Sequence, residues 1–222
     1  MTTLTRRSPA HDALEHLKPR WGKLQDMPIA LDYGDPRAEA ERAKVLALCD
    51  VSAFPRITVK GPGASRWLEE QGLEVPAGIY NVGRAGRTDR IIRTGGAEFL
   101  IEDGVDGQTA RRLISTGKER VPDVYRIPRQ DASYLLTGRD AKDVLLETCG
   151  VDFSVREERA VFSRVAGVSC ALLAVEVHRI PAFQIWCDPS YGPYLWETLL
   201  EIVREKGGGP VGMSSVFPEV GK

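Results

Sequence analysis

A chain of 222 residues with 30 Lys and Arg against 31 Asp and Glu has a net charge of −1. That balance argues against a nucleic-acid binder and gives no attraction to an anionic membrane surface. The chain is long enough to bury a substantial core, and no apolar run approaches the length of a membrane span.

The opening MTTLTRRSPAHD has two arginines but no apolar core after them, so a secretory signal is not expected. Residues 1–19 read as an N-terminal arm, with a short helix from Asp12 ended by Lys18-Pro19, and residues 20–222 as a single domain. Met27–Leu31 reads as a strand and Tyr33-Gly34-Asp35-Pro36 as a turn. Arg37–Leu48 reads as a helix with Ala38, Val45 and Leu48 facing inward. Asp35 suits the cap of that helix and Pro36 its first turn.

Phe54–Val59 reads as a strand that breaks at Gly61-Pro62-Gly63, and Ala64, Trp67 and Leu68 open a short helix stopped at Gly72. The same plan returns later: Tyr134–Thr137 is the strand, Gly138 the break, and Ala141, Val144 and Leu145 the helix face. Each copy follows an Asp-x-Ser, Asp50/Ser52 and Asp131/Ser133. After the first copy come strands Arg87–Arg93 and Ala97–Glu102, then a helix from about Gln108 to Lys118. After the second come strands Val168–Val177 and Phe183–Cys187, then a helix from Tyr191 to about Lys206. The fold expected is α+β, with duplicated β-α-β-β-α halves (about 50–118 and 131–206) and mostly antiparallel sheets.

The ordered pieces Met27-Pro28, Tyr33-Gly34, Asp50-Val51-Ser52, Gly61-Pro62-Gly63-Ala64, Glu98–Ile101 and Leu195–Leu200 resemble the folate-binding domain of the glycine cleavage T-protein, an aminomethyltransferase. They also resemble its relatives, among them the gamma subunit of heterotetrameric sarcosine oxidase, whose short opening motif is similar to Arg7-Ser8-Pro9. Two departures bear on function. The resemblance implies an acidic pair where this chain has Ala182 and Gln184, and an arginine-bearing continuation past Gly212 where this chain ends at Lys222.

The resemblance places Asp89 over the pterin, where a carboxylate can orient a proton transfer at a folate nitrogen. Tyr80 and Asn81 can line a pterin pocket. Arg84, Arg87, Arg90 and Arg93 recur every third residue and can hold carboxylates or an acidic partner surface. His178 sits at the turn of the second hairpin without a nucleophile beside it in sequence. Trp186, Tyr191, Tyr194 and Trp196 read as core and interface residues.

The four cysteines (Cys49, Cys149, Cys170, Cys187) lack metal-ligand spacing and read as reduced, buried thiols in a cytoplasmic protein. Walker A and GxGxxG fingerprints are absent, so ATP, GTP and NAD are not expected. The main expectation is a small, non-catalytic subunit of a sarcosine oxidase-like amine oxidase or demethylase, joining larger flavin- and folate-binding subunits in a hetero-oligomer. No cofactor would be tightly bound by this chain, and flavin or NAD would sit on its partners. The alternative is a tetrahydrofolate-dependent one-carbon transferase, or a folate-binding module.

Overall fold

The computed structural model describes residues 6–116, 120–153 and 159–221. Residues 1–5 of the expected arm and the last residues of the helix expected to Lys118 lie outside them. Within the span read as one domain, the backbone gathers into two compact units. The described residues of the first are 6–53, 131–153 and 161–221, and those of the second are 54–116, 120–130 and 159–160.

The first unit opens with α1 (His11–His16), the hairpin β1 (Arg20–Leu24) and β2 (Met27–Asp32), α2 (Pro36–Val45) and β3 (Ala47–Asp50). The second unit contributes β4 (Arg56–Lys60), α3 (Ala64–Glu70), β5 (Val82–Arg84), β6 (Arg90–Gly95), β7 (Glu98–Glu102), α4 (Thr109–Ser115) and β8 (Tyr125–Arg129). The chain then returns to the first unit with β9 (Ala132–Thr137), α5 (Ala141–Thr148), β10 (Val161–Val165), β11 (Val168–Val177), β12 (Ile180–Cys187), α6 (Gly192–Glu205), β13 (Gly209–Pro210) and α7 (Met213–Val216).

The two main sheets follow one plan. Strand order is β5-β6-β7-β4-β8 in the second unit and β10-β11-β12-β9-β3-β13 in the first. All pairings within them are antiparallel except β13 on β3. Each half is therefore duplicated as expected, with one addition: β5 and β10 supply a third strand ahead of the hairpin, so the repeat is β-α-β-β-β-α. The strand just before each repeat is exchanged. β3 precedes β4 in sequence but pairs with β9, while β8 precedes β9 and pairs with β4.

The glycine break is the same turn in both copies. Gly61 has φ +118° and Gly138 +110°, a region that L side chains rarely enter. The Gly61 N–H donates to the Ala97 carbonyl (3.0 Å) and the Gly138 N–H to that of Pro181 (2.9 Å), each just before the first residue paired in the neighbouring ladder. Three residues on, Ala64 and Ala141 begin their helices at 0% and 1% exposure. Ala64, Trp67, Leu68 and Leu73 join Ile57, Val59, Ile91, Phe99, Ile101 and Leu113 in the core of the second unit. In the first, Val144 and Leu145 meet Tyr134, Leu136, Leu172, Ile185, Leu195 and Leu199.

Helix α6 buries Leu195, Trp196, Leu199, Leu200 and Val203, spaced by three and four residues along one face. Each such side chain contributes about 1.5–3 kcal/mol on full burial. Trp186 and Trp196 are core residues, as read from sequence, whereas Tyr191 and Tyr194 are exposed. Residues 8–17 of the expected arm fold onto this core: Ala10 and Leu14 are buried in it, and the His11 and Trp21 rings lie 4.6 Å apart.

Helix α2 departs from expectation. Asp35 caps it, accepting the Arg37 and Ala38 N–H groups at 3.0 Å, with Pro36 in the first turn. Its buried residues, however, are Glu39 and Ala43, while Ala38 and Val45 are exposed. The helix ends at Val45 because Ala47–Asp50 is drawn into the sheet beside β9. Glu39 is tolerated inside because its carboxylate accepts the N–H groups of Tyr33 (2.6 Å) and Gly212 (2.8 Å) and the Ser215 hydroxyl (3.1 Å).

Ala64 and Ala141 sit where each helix meets its sheet. Ala64→Leu and Ala141→Leu should each lower stability by roughly 1–3 kcal/mol through overpacking, measured by urea denaturation. An unchanged midpoint would show that these sites have room the structure does not give them.

Candidate functional site

Five of the residues singled out from sequence (Tyr80, Asn81, Arg84, Arg87 and Asp89) lie on the β5–β6 hairpin of the second unit and the turn before it. The strand expected from Arg87 begins only at Arg90, because residues 85–89 form the hairpin turn, closed by the Ala85 N–H donating to the Asp89 carbonyl at 3.0 Å. His178 belongs to the other unit.

Asp89 is 4% exposed and serves the start of α4. Its Oδ1 accepts the Gly104 N–H (3.0 Å), and its Oδ2 accepts those of Gln108 (3.3 Å) and Thr109 (3.1 Å). Asp103, absent from the sequence reading, completes the arrangement from the other side. It accepts the Ala110 N–H at 2.5 Å and the Arg111 N–H at 3.2 Å. Burial pushes the Asp103 carboxyl up from its usual range, and these two amide bonds oppose that shift. The first intrahelical bond runs from the Arg112 N–H to the Gln108 carbonyl, so the amides of residues 108 to 111 have no partner within the helix. Two carboxylates take all four. Gly107 is required here, since a Cβ on it would stand 1.6 Å from the Asp89 Oδ1.

Beside this cap lies a cavity of about 570 Å³, lined in part by Arg87, Thr88, Gln108, Arg111 and Arg112. Arg87 is exposed and paired with Asp106. Arg111 donates to the Gly107 carbonyl (2.6 Å), and Arg112 to the backbone and side chain of Gln71 (3.1 and 3.3 Å). The Thr88 hydroxyl is buried without a partner.

The every-third-residue arginines do not share one surface role. Arg93 sends its guanidinium to the carbonyls of Pro76 (3.2 Å), Ala77 (2.7 Å), Gly95 (3.3 Å) and Gly96 (2.5 Å), 5.5 Å over the Phe99 ring. It ties two loops together. Arg84 is exposed and Arg90 half-buried, opposite each other on β5 and β6. Tyr80 has φ +70°, and its backbone bridges the Arg93 carbonyl (2.7 Å) and the Ala160 N–H (2.8 Å). Asn81 receives the Arg93 N–H at 3.1 Å and pairs with Arg159. Both serve as backbone joints of the hairpin.

His178 and Arg179 form the two-residue β11–β12 turn with φ +49° and +67°, and the His178 Nε2 lies 3.8 Å from a Glu219 carboxylate oxygen. Ala182 and Gln184, where the resemblance implies acids, are buried in β12, and the Gln184 Nε2 donates to the Ser133 hydroxyl at 3.3 Å. Among the described residues no group of His, Cys, Asp and Glu is placed to hold a metal ion, and no helix is long and apolar enough to cross a membrane.

This geometry makes Asp89 a positioning group for α4. Asp89→Ala should leave three amides unpaired and lower stability by roughly 2–4 kcal/mol, while Asp89→Asn, which keeps an acceptor, should lose less. Chemical denaturation of both variants checks this. Full stability in Asp89→Ala would contradict the capping role.

No protein-family profile matches the chain. Two curated relatives do, both aminomethyltransferases: one from Saccharopolyspora erythraea, 26% identical over 94% of this chain, and one from Streptomyces avermitilis, 28% identical over 93%. The chain spans 61% of the length of each. Among solved structures, the glycine cleavage system aminomethyltransferase T from Bartonella henselae superposes with a TM-score of 0.75 at 17% identity, over 95% of this chain and 60% of that one. The heterotetrameric sarcosine oxidase from Corynebacterium sp. U-96, solved with pyrrole 2-carboxylate, contains a chain that superposes with a TM-score of 0.60 at 20% identity. That match covers 76% of this chain and 91% of the other. With its duplicated α+β plan, the chain has a T-protein-like fold and is similar to aminomethyltransferases over nearly its whole length.

Proposed function

We propose that this chain is a tetrahydrofolate-dependent module of one-carbon transfer, handling an aminomethyl or methyl group carried on a reduced folate. The observation that carries the reading is the relation to aminomethyltransferases, which runs through nearly the whole chain rather than through one motif. Because the chain spans about three-fifths of those relatives, the complete transfer reaction is assigned to this module acting with the remaining machinery, not to it alone.

The cavity beside α4 suits one end of a folate. Three guanidiniums, from Arg87, Arg111 and Arg112, and the unpartnered Thr88 hydroxyl fit the glutamyl carboxylates. None of its described lining residues is aromatic, so it does not fit the pterin ring. The exposed Arg87–Asp106 pair contributes only about 0–1 kcal/mol, so a ligand carboxylate can displace Asp106 at little cost. Asp89 holds α4 and its arginines in place for this contact, and no proton transfer is assigned to it.

A second reading rests on a separate observation. The matched sarcosine oxidase chain is covered over 91% of its length, so the shared fold makes up nearly all of it. On that reading the chain is a non-catalytic subunit joining larger flavin- and folate-binding partners in the cytoplasm, and its arginine-bearing hairpin is a partner surface.

Isothermal titration calorimetry with tetrahydrofolate and its polyglutamate separates the two. The first reading predicts saturable binding weaker than micromolar, tighter for the polyglutamate. Arg87→Ala with Arg112→Ala should weaken it roughly 5- to 30-fold, about 1–2 kcal/mol. No heat with either ligand, together with co-elution of the chain with co-expressed oxidase subunits, would favour the second reading.

A further inference from the structure

Cys170 on β11 and Cys187 on β12 stand directly opposite each other in the antiparallel ladder. The hairpin turns through two residues, so its closing pair, Val177 and Ile180, is hydrogen-bonded. Hydrogen-bonded and non-hydrogen-bonded pairs alternate from there, which makes Cys170–Cys187 a non-hydrogen-bonded pair. Such pairs bring Cα atoms to about 4.5 Å and their side chains closest together, inside the roughly 4.4–6.8 Å window of a disulfide. Both side chains are free thiols on the core-facing side of the sheet, 4% exposed, and Cys187 is the last residue of its strand.

We propose that Cys170 and Cys187 are a redox pair that a hydroperoxide converts to a reversible disulfide stapling β11 to β12. The Cys170 sulfur attacks the peroxide oxygen and the O–O bond breaks, giving a sulfenic acid and releasing water or an alcohol. The Cys187 sulfur then attacks the sulfenic sulfur, the S–O bond breaks, and the oxygen leaves as water with the second thiol proton. Two thiols lose two protons and two electrons, and the peroxide takes up both electrons. Reversal needs a thiol reductant.

The assignment of Cys170 as the attacking group has a physical cause. The Cys187 thiol hydrogen-bonds to it, holding Cys170 below the ordinary thiol range and pushing Cys187 up. Cys149 is the competing partner. It sits 3.7 Å from the Ser163 hydroxyl, and Ser163 is opposite Cys170 on the other side of β11. Only Cys187 faces Cys170 directly among the four cysteines.

The test treats the reduced full-length protein with a modest excess of hydrogen peroxide under native conditions, followed by thiol titration, intact mass and peptide mapping. The expected result is loss of about two thiols per chain, a mass lower by about two hydrogens, and a peptide joining Cys170 to Cys187 that dithiothreitol separates. Cys170→Ser and Cys187→Ser should each abolish the cross-link, and the Cys49→Ser/Cys149→Ser double variant should keep it. Should the serine variants fail to fold, peptide mapping of the wild-type protein decides alone. A cross-link to Cys149, a sulfinic acid on Cys170 beside a free Cys187, or four free thiols in protein that oxidises only in urea would each overturn the proposal.

Discussion

A backbone conformation that only glycine adopts readily governs both halves of this protein. At Gly61 a Cβ would stand 2.3 Å from the Asp123 carbonyl oxygen, and at Gly138 the same distance from the Val45 carbonyl. The positive φ at each point turns the chain from a sheet strand directly into a helix. The same residue's N–H reaches the neighbouring hairpin, so the turn sets strand register and helix entry together. Everything downstream in each half, from the buried alanine to the apolar helix face, takes its position from that junction.

Buried carboxylates perform the corresponding task for the loops. Asp89 and Asp103 satisfy the amides that open α4, and Glu39 binds the turn at Tyr33 to the segment at Gly212 and Ser215. Each replaces water at backbone donors that would cost roughly 1–3 kcal/mol if left unpaired. This bears on function. A carboxylate that accepts three amides positions a helix, and the cationic groups lining the adjacent cavity are the arginines of that helix and of the β5–β6 turn.

Much of this was legible in the sequence for identifiable reasons. The repeat could be read because Gly61–Leu68 and Gly138–Leu145 share their spacing, and α6 because its apolar residues keep helical spacing without interruption. The short strands were harder. Leu46–Leu48 continues an apolar pattern begun in α2, and only its pairing with β9 makes Ala47–Asp50 a strand. β8 alternates poorly because four of its five residues are exposed. At the site, Asp89 stands out in the sequence, but its capping bonds are not legible there, since its amide partners lie 15 to 20 residues further on. The paired glycines Gly104 and Gly107 were the available signal. The arginine period suggested a shared carboxylate-binding role, whereas the hairpin gives Arg87 and Arg93 unrelated partners.

On the proposed reading, a T-protein-like fold presents its groups to folate from a helix start held by capping carboxylates. Amide hydrogen exchange, followed with and without tetrahydrofolate polyglutamate, tests that claim where it is made. The account predicts slowed exchange concentrated in residues 85–89 and 104–112, the hairpin turn and the start of α4. Exchange unchanged there at saturating ligand would contradict it.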